Sequence, residues 1–322
     1  MYKKLNIKTL SAVFIILLIV TVGVKIVDNA KGTNTLKSVL FEIDKDQVTS
    51  IVLQPRVLNG KQVELKKEGD AWKVIADGKH YNGDVSVITG LLNQVNGLKP
   101  IRLAARSKDK WSKFDLTDSL ASVVTLMGND GELARLYIGK FSYLQPRQAP
   151  MMNQNPYQQQ PRGTMTTYVR SENEQEVFAV EGFLGSSVNR DANAFRNKKL
   201  LKVNPSTISK LTFDYPADSS FTMVKNENVW MSNGLPLDSA SVASYLSSIS
   251  TLNGSTFTDD EVTPFTHQVK IQDDQMNIIE VKATLKGEQA IISTTQNRGS
   301  LFEEPKDRNF KKVFISKHSL QK

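Results

Sequence analysis

The feature that most constrains the fold is a pattern that occurs twice. The first copy begins Val48-Thr-Ser-Ile51-Val-Leu53 and continues Val63-Glu-Leu65-Lys-Lys-Glu-Gly-Asp-Ala-Trp72-Lys-Val74. Tyr81-Asn-Gly-Asp84 follows, then Val85, Val87, Ile88, Leu91, Leu92, Val95 and Leu98. The second copy begins Ile208-Ser-Lys-Leu211-Thr-Phe213 and continues Phe221-Thr-Met223-Val-Lys-Asn-Glu-Asn-Val-Trp230-Met. Leu235-Pro-Leu237-Asp238 follows, then Val242, Tyr245, Leu246, Ile249 and Leu252. Alternating apolar positions predict strands, with a Trp in the third. Asp84 and Asp238 stand where a carboxylate can accept from the free N–H groups of a helix N-terminus. The apolar spacing after each is helical. Asn96-Gly97 and Asn253-Gly254 are placed to form left-handed C-terminal caps. Signals agreeing in order predict a duplication, and at 322 residues the chain has room for two domains.

Further strands are predicted between and after the copies. Positions 121–126 and 133–138 flank Gly128-Asn-Asp-Gly131, a hairpin turn, and 166–170 pairs with 177–180. A short helix is predicted from Asp191 through Phe195 to Leu201. Alternation returns at 268–271, 278–285 and 289–294. The expected class is α+β: an N-terminal transmembrane helix, then two duplicated lobes of antiparallel sheet packed by helices. Residues 145–163 (QPRQAPMMNQNPYQQQPRG) break the pattern. They carry little apolar content to offset the entropy of ordering, so a flexible loop is expected. Met151, Met152 and Tyr157 are its adhesive residues if it docks a partner.

The amino terminus is the other strong signal. Lys3, Lys4 and Lys8 precede an almost wholly apolar run from Thr9 to Val24, which Ile26-Val27 extend beyond Lys25. That length suits a bilayer core, and the lysines favour a cytoplasmic N-terminus. A cleaved signal peptide is the competing reading. The run is long for one, and Asp28-Asn29-Ala30 puts an acid where a small residue is needed. The expected organisation is a cytoplasmic N-terminus (1–8), a single transmembrane anchor (9–27), a linker (28–44), a first lobe (45–200) and a second (201–322). The body then lies outside the cytoplasmic membrane.

Composition removes much chemistry. With no Cys there is no disulfide, thiolate metal site, cysteine nucleophile or lipid-anchoring Cys. His80, His267 and His318 are far apart, so a multi-histidine metal centre is not expected. The excess of Lys plus Arg over Asp plus Glu, 41 − 33 = 8, is spread along the chain and does not indicate nucleic-acid binding. Phosphate-loop, dinucleotide and nucleophile-elbow motifs do not occur. Ser107-Lys-Asp-Lys110 fits S-x-x-K but lacks companion motifs, and reads as solvated surface. Asp259-Asp260-Glu261, Asp273-Asp274 and Glu303-Glu304 are adjacent acids that coat a surface, none in an apolar setting that raises a pKa. Trp72 and Trp230 read as core anchors. Arg196, with Lys198 and Lys199, reads as a solvated helix end. No catalytic, cofactor-binding or metal-ligating residue is assigned, and no cofactor is expected.

The chain resembles the domain of unknown function 4340 family of bacterial membrane-associated proteins. The resemblance rests on Ile51, Leu53, Val63-Glu-Leu65, Trp72-Lys-Val74, Asp84, Leu91-Leu92 and Leu98. It continues through Ile138-Gly139, Thr167-Tyr-Val-Arg170, Val177-Phe-Ala-Val180 and Phe195-Arg-Asn-Lys-Lys-Leu-Leu201, over residues 45–255. It implies association with gliding-type ABC transporter systems, and no catalytic residues. The expected function is a non-enzymatic, membrane-anchored extracytoplasmic accessory or scaffold protein. Its partners are the membrane and a membrane protein such as a transporter subunit, with no nucleic acid. The alternative is a small-ligand or glycan receptor with Tyr81, Trp111 and Tyr245 lining a groove between the lobes. An envelope hydrolase is a third reading.

Overall fold

The computed structural model describes residues 36–144, 163–260, 262 and 264–321, together with Phe14, Leu17, Leu18 and Thr21. Most of the expected span at 9–27, and the stretch 145–163 except Gly163, lie outside the described residues. The four N-terminal positions are helical, and Thr21 Oγ1 donates to Leu17 O at 2.8 Å. Phe14, Leu17 and Leu18 are at least half exposed. Among the described residues no helix is long and apolar enough to cross a membrane.

The body is two large antiparallel sheets with few helices. The first lobe contains β1 (Ser50–Gln54), β2 (Val63–Glu68), β3 (Ala71–Ala76), β4 (Lys79–Asn82), β5 (Pro100–Ala105), β6 (Ser122–Gly128), β7 (Gly131–Leu144), β8 (Thr164–Ser171) and β9 (Val177–Glu181). Their spatial order is β4-β3-β2-β1-β6-β7-β8-β9-β5. After β10 (Lys199–Lys202), the second lobe contains β11 (Ile208–Asp214), β12 (Phe221–Asn226), β13 (Val229–Ser232), β14 (Leu235–Pro236), β15 (Thr251–Asn253), β16 (Thr256–Thr258), β17 (His267–Asp273), β18 (Ile278–Lys286), β19 (Gln289–Thr294) and β20 (Leu301–Pro305). Their order is β14-β13-β12-β11-β17-β18-β19-β20-β16, the same path through a nine-stranded sheet, while β10 and β15 form a separate pair.

Each sheet buries one face under a helix. In α1 (Val85–Val95), Ile88, Leu91, Leu92 and Val95 form a stripe at helical spacing that packs on Ile51, Leu53, Leu65 and Val74. The helix starts where Asp84 accepts from Ser86 N–H and Val87 N–H, at 2.9 and 3.1 Å. Two shorter helices are α2 (Gly185–Val188), at the end of the first lobe, and α3 (Ser239–Ser248), the counterpart of α1. Asp238 caps α3 by accepting from Ser241 N–H at 2.8 Å, and Val242, Tyr245 and Leu246 face the second core. The lobes repeat at the level of single bonds. Gly83 N–H donates to Trp72 O and Leu237 N–H to Trp230 O, both at 2.8 Å. Asp84 N–H donates to Phe195 O and Asp238 N–H to Leu320 O, at 2.8 and 3.0 Å. The closing segment of each lobe is thus tied to the cap of its helix, and Trp72 and Trp230 are both buried beside it. The outer face of the first sheet carries a third apolar cluster around Trp111, Phe114, Leu116, Tyr137 and Tyr168.

Two local expectations are corrected. The helix predicted to reach Leu201 is only a turn, Ala192–Ala194, and Lys199–Lys202 is a strand paired with β15. Leu200 and Leu201 are both buried between exposed Lys199 and Lys202, and pairing with β15 satisfies backbone groups that a short charged helix would expose. Gly97 has φ +72° after α1 as expected, but α3 ends at Ser248 and Asn253 lies in β15. Gly254 serves a different purpose: a Cβ there would lie 2.0 Å from Phe302 Cδ1. Gly90, within α1, has open space around its missing Cβ. Ala at the two sites should therefore act oppositely. Gly254→Ala is expected to destabilise by about 1–3 kcal/mol through overpacking, and Gly90→Ala to stabilise by roughly 0.4–1 kcal/mol. Urea unfolding of the two variants checks both signs.

Candidate functional site

The polar groups of the seam between the lobes converge on Arg196. The connector that carries it, after Phe195, bridges antiparallel to Gly83. That places the side chain against β4 on one side and β16 on the other. The guanidinium carbon sits 3.7 Å from the Tyr81 ring centroid and 3.8 Å from that of Phe257. Arg196 is 3% exposed, so these are desolvated cation–π stacks, worth up to about 2 kcal/mol each. Arg196 Nη1 donates to Asn193 Oδ1 at 3.1 Å and lies 3.9 Å from Asp259 Oδ1. Nε and Nη2 are buried without a hydrogen-bond partner.

Asp259 gathers the rest of the cluster. Lys79 Nζ donates to its Oδ2 at 2.6 Å and Tyr81 Oη at 3.1 Å. The Lys79 hydrogen bond, ahead of the Tyr81 bond, holds the Asp259 carboxyl below the usual range, although partial burial opposes it. Burial lowers the Arg196 pKa and raises that of Tyr81. Beside the ions lies an amide ring. Asn82 Nδ2 donates to Asn297 Oδ1 at 3.1 Å, Asn297 Nδ2 to Asn197 O at 2.6 Å, and Asn197 N–H to Asn82 O at 2.7 Å. A cleft of about 450 Å³ opens here, with Lys61, Lys79 and Arg196 facing Asp77, Asp191 and Asp259 along its walls. Balanced charge and direct pairing suit this cluster to holding two lobes in one orientation.

The structure relocates several residues singled out in the sequence. Arg196 is not a solvated helix end: the repeat brings Phe257 over it, and burial follows. Tyr81, Trp111 and Tyr245 do not line one groove. Only Tyr81 faces the seam. Trp111 stacks on buried Arg170, whose guanidinium carbon is 3.7 Å from its ring, and Tyr245 donates its hydroxyl to Val313 O inside the second core. Ser107 and Lys110 are exposed, both bound to Asp109. Asp273 accepts from Gln275 N–H and Asn277 N–H and closes a turn. Glu304 overturns the expectation of surface acids. It is 1% exposed, accepts from Ser255 Oγ at 3.0 Å and Asn309 Nδ2 at 2.9 Å, and burial pushes its pKa up. The alternation of β20 turns it inward while Glu303 points out. Among the described residues no group of three or more His, Asp or Glu side chains could hold a metal.

Residues 158–270 match the family model described as Domain of unknown function (DUF4340). The match supports the DUF4340 assignment drawn from the sequence. It straddles the seam, covering the end of the first lobe, the connector and the second lobe as far as β17. Arg196, Phe257 and Asp259 therefore lie inside the DUF4340 match, while Lys79 and Tyr81 lie outside it. No curated protein and no solved structure matches the chain.

Two outcomes follow. Arg196→Ala should remove both stacks, cost on the order of 2–4 kcal/mol and expose the connector to limited proteolysis. Arg196→Lys should not restore resistance, because an ammonium offers no flat face to two rings. The raised pKa of Glu304 favours its neutral form in the folded state. That contribution is fully present below the unfolded carboxyl pKa and is lost as pH rises through the folded value. Glu304→Gln, which mimics the neutral form, should gain stability over the parent at pH 7 and lose that advantage towards pH 4. Denaturant midpoints across the pH series check this.

Proposed function

We propose that the chain is a non-enzymatic accessory or scaffold protein, tethered at the outer face of the cytoplasmic membrane. The apolar run at 9–27 is its single-pass anchor, with the N-terminus inside. The observation that carries this reading is the run itself, set behind Lys3, Lys4 and Lys8. The helical state of Phe14, Leu17, Leu18 and Thr21, with the three apolar side chains exposed, agrees with a helix meant for a non-aqueous neighbour. In the body, Lys79 and Arg196 share Asp259 at the seam and Lys61 pairs with Asp77. That suits a rigid two-lobed block that presents surface to a partner rather than closing around a substrate.

Tethering raises the local concentration of such a body near membrane proteins without demanding high intrinsic affinity. The partner class implied by the family resemblance is a subunit of an ABC-type transporter. Fusions after Lys322 test the topology. Alkaline phosphatase there should be active, and a fluorescent protein that matures only in the cytoplasm should stay dark. Mild crosslinking before detergent extraction should recover an integral membrane partner. A bright fluorescent fusion would sink the anchoring half, and recovery of the protein alone would sink the accessory half.

A further inference from the structure

The second lobe has a cleft of about 410 Å³ that the seam does not use. Its floor is aromatic. The ring centroids of Tyr215 and His267 are 5.3 Å apart with their planes at 50°, those of His267 and Phe310 5.2 Å apart edge to face at 78°, and Phe310 stacks on Phe314 at 4.8 Å, so the rings form an angled cradle. These rings come from three places: the residue after β11, the start of β17, and α4 (Asn309–Val313) with the residue after it. Tyr215, His267 and Phe310 are only half buried, so ring surface remains open to solvent.

The first lobe is an internal control. Leu53 pairs with Val63 and Val124, and Phe213 pairs with Phe221 and Val269, so the two registers align residue by residue. Tyr215 then corresponds to Pro55, Phe221 to Val63 and His267 to Ser122. The same fold is built in the first lobe with small residues at these places. There, Ser122 Oγ accepts from Arg56 N–H at 3.1 Å. The aromatic floor is therefore not a requirement of the architecture.

The rim is polar and carries both signs. Asp218 and Lys317 face the cleft with Ser219, Ser220 and Ser316. Ala217 and Asp218 both take left-handed backbone, at φ +55° and +57°. Two consecutive non-glycine residues in that region are costly, and such strain concentrates where a loop must hold a set shape. Burial lowers the His267 pKa and so favours the uncharged ring. One carboxylate against one ammonium gives no net attraction for an anion or a cation. Neutral rings set at angles to one another below, with donors and acceptors above, match a ligand that has an apolar C–H face and hydroxyls at its edge. The volume is within the ordinary range for small-ligand sites.

We infer that this cleft is a carbohydrate-binding site that seats a pyranose ring on the Tyr215–His267–Phe310 floor, with its hydroxyls met by Asp218 and Lys317. This goes beyond the accessory role and does not depend on membrane anchoring. The test is saturation-transfer NMR on the full chain in a detergent without a sugar headgroup. Cellotetraose, maltotetraose and tetra-N-acetylchitotetraose are the probes. At least one should receive saturation, strongest at its ring C–H protons. Phe310→Ala, and His267→Ser, which installs the first lobe's residue, should weaken that binding tenfold or more. Asp218→Asn, at an exposed position, and Lys317→Ala, at a half-buried rim position outside the aromatic floor, keep the test readable should the aromatic variants misfold, and each should weaken binding severalfold. No transfer to any of the three probes, or binding unchanged in Asp218→Asn and Lys317→Ala, would overturn the inference. Neither result bears on the reporter fusions.

Discussion

Everything in this molecule depends on covering one apolar face of a nine-stranded sheet, twice. The sheets cannot be left half bare, because a row of Ile, Leu and Val side chains on that face would meet water. A helix capped by Asp84 or Asp238 supplies the cover. The helix is held in register because its cap residue also donates its backbone N–H to the last segment of the same lobe. Cap, Trp-bearing strand and closing segment form one joint, and the joint is built the same way in both copies. The seam grows out of it. Phe195, which closes the first lobe on Asp84, is followed at once by Arg196, so the residue that finishes one lobe delivers the cation that binds it to the next.

The seam also explains why a buried arginine is tolerated. Its desolvation is offset by two ring faces and by Asp259, itself shared with Lys79 and Tyr81. The arrangement leaves two guanidinium nitrogens without partners, which a stability-optimised contact would avoid. It gains orientation instead: a planar cation between two rings from different lobes fixes their separation and tilt together.

What was legible in the sequence was local. Trp72 and Trp230, the capping Asp residues, the Gly128-Asn-Asp-Gly131 hairpin and most central strands follow from periodicity and turn chemistry over a dozen residues. The edges were not legible. β5 starts at Pro100 and carries Arg102, and β16 is three residues long, so neither shows a usable alternation. Arg196 reads as surface because Lys198 and Lys199 follow it, and the rings that bury it, Phe257 and Tyr81, stand 61 and 115 residues away. Glu304 reads as surface because Glu303 precedes it, yet the period-two rule sends neighbours to opposite faces. The aromatic floor of the second lobe was present in the composition, but nothing local joins Tyr215 to His267 or Phe310. Aligning the two copies by register, once strand pairings are known, is what isolates it.

The path of the chain through each sheet has a kinetic consequence. The edge strand made after the helix in each nine-stranded sheet, β5 or β16, pairs within that sheet only with a strand made later. Pro100 must wait for Val180, and Thr256 for Glu303. Each lobe stays open along that margin until its final strand is available, so closure is a long-range and therefore slow event. A polypeptide threaded outward from its amino end would emerge with an unpaired border on the first lobe until residue 181 had cleared the pore. The strands of the first sheet are therefore all available before those of the second.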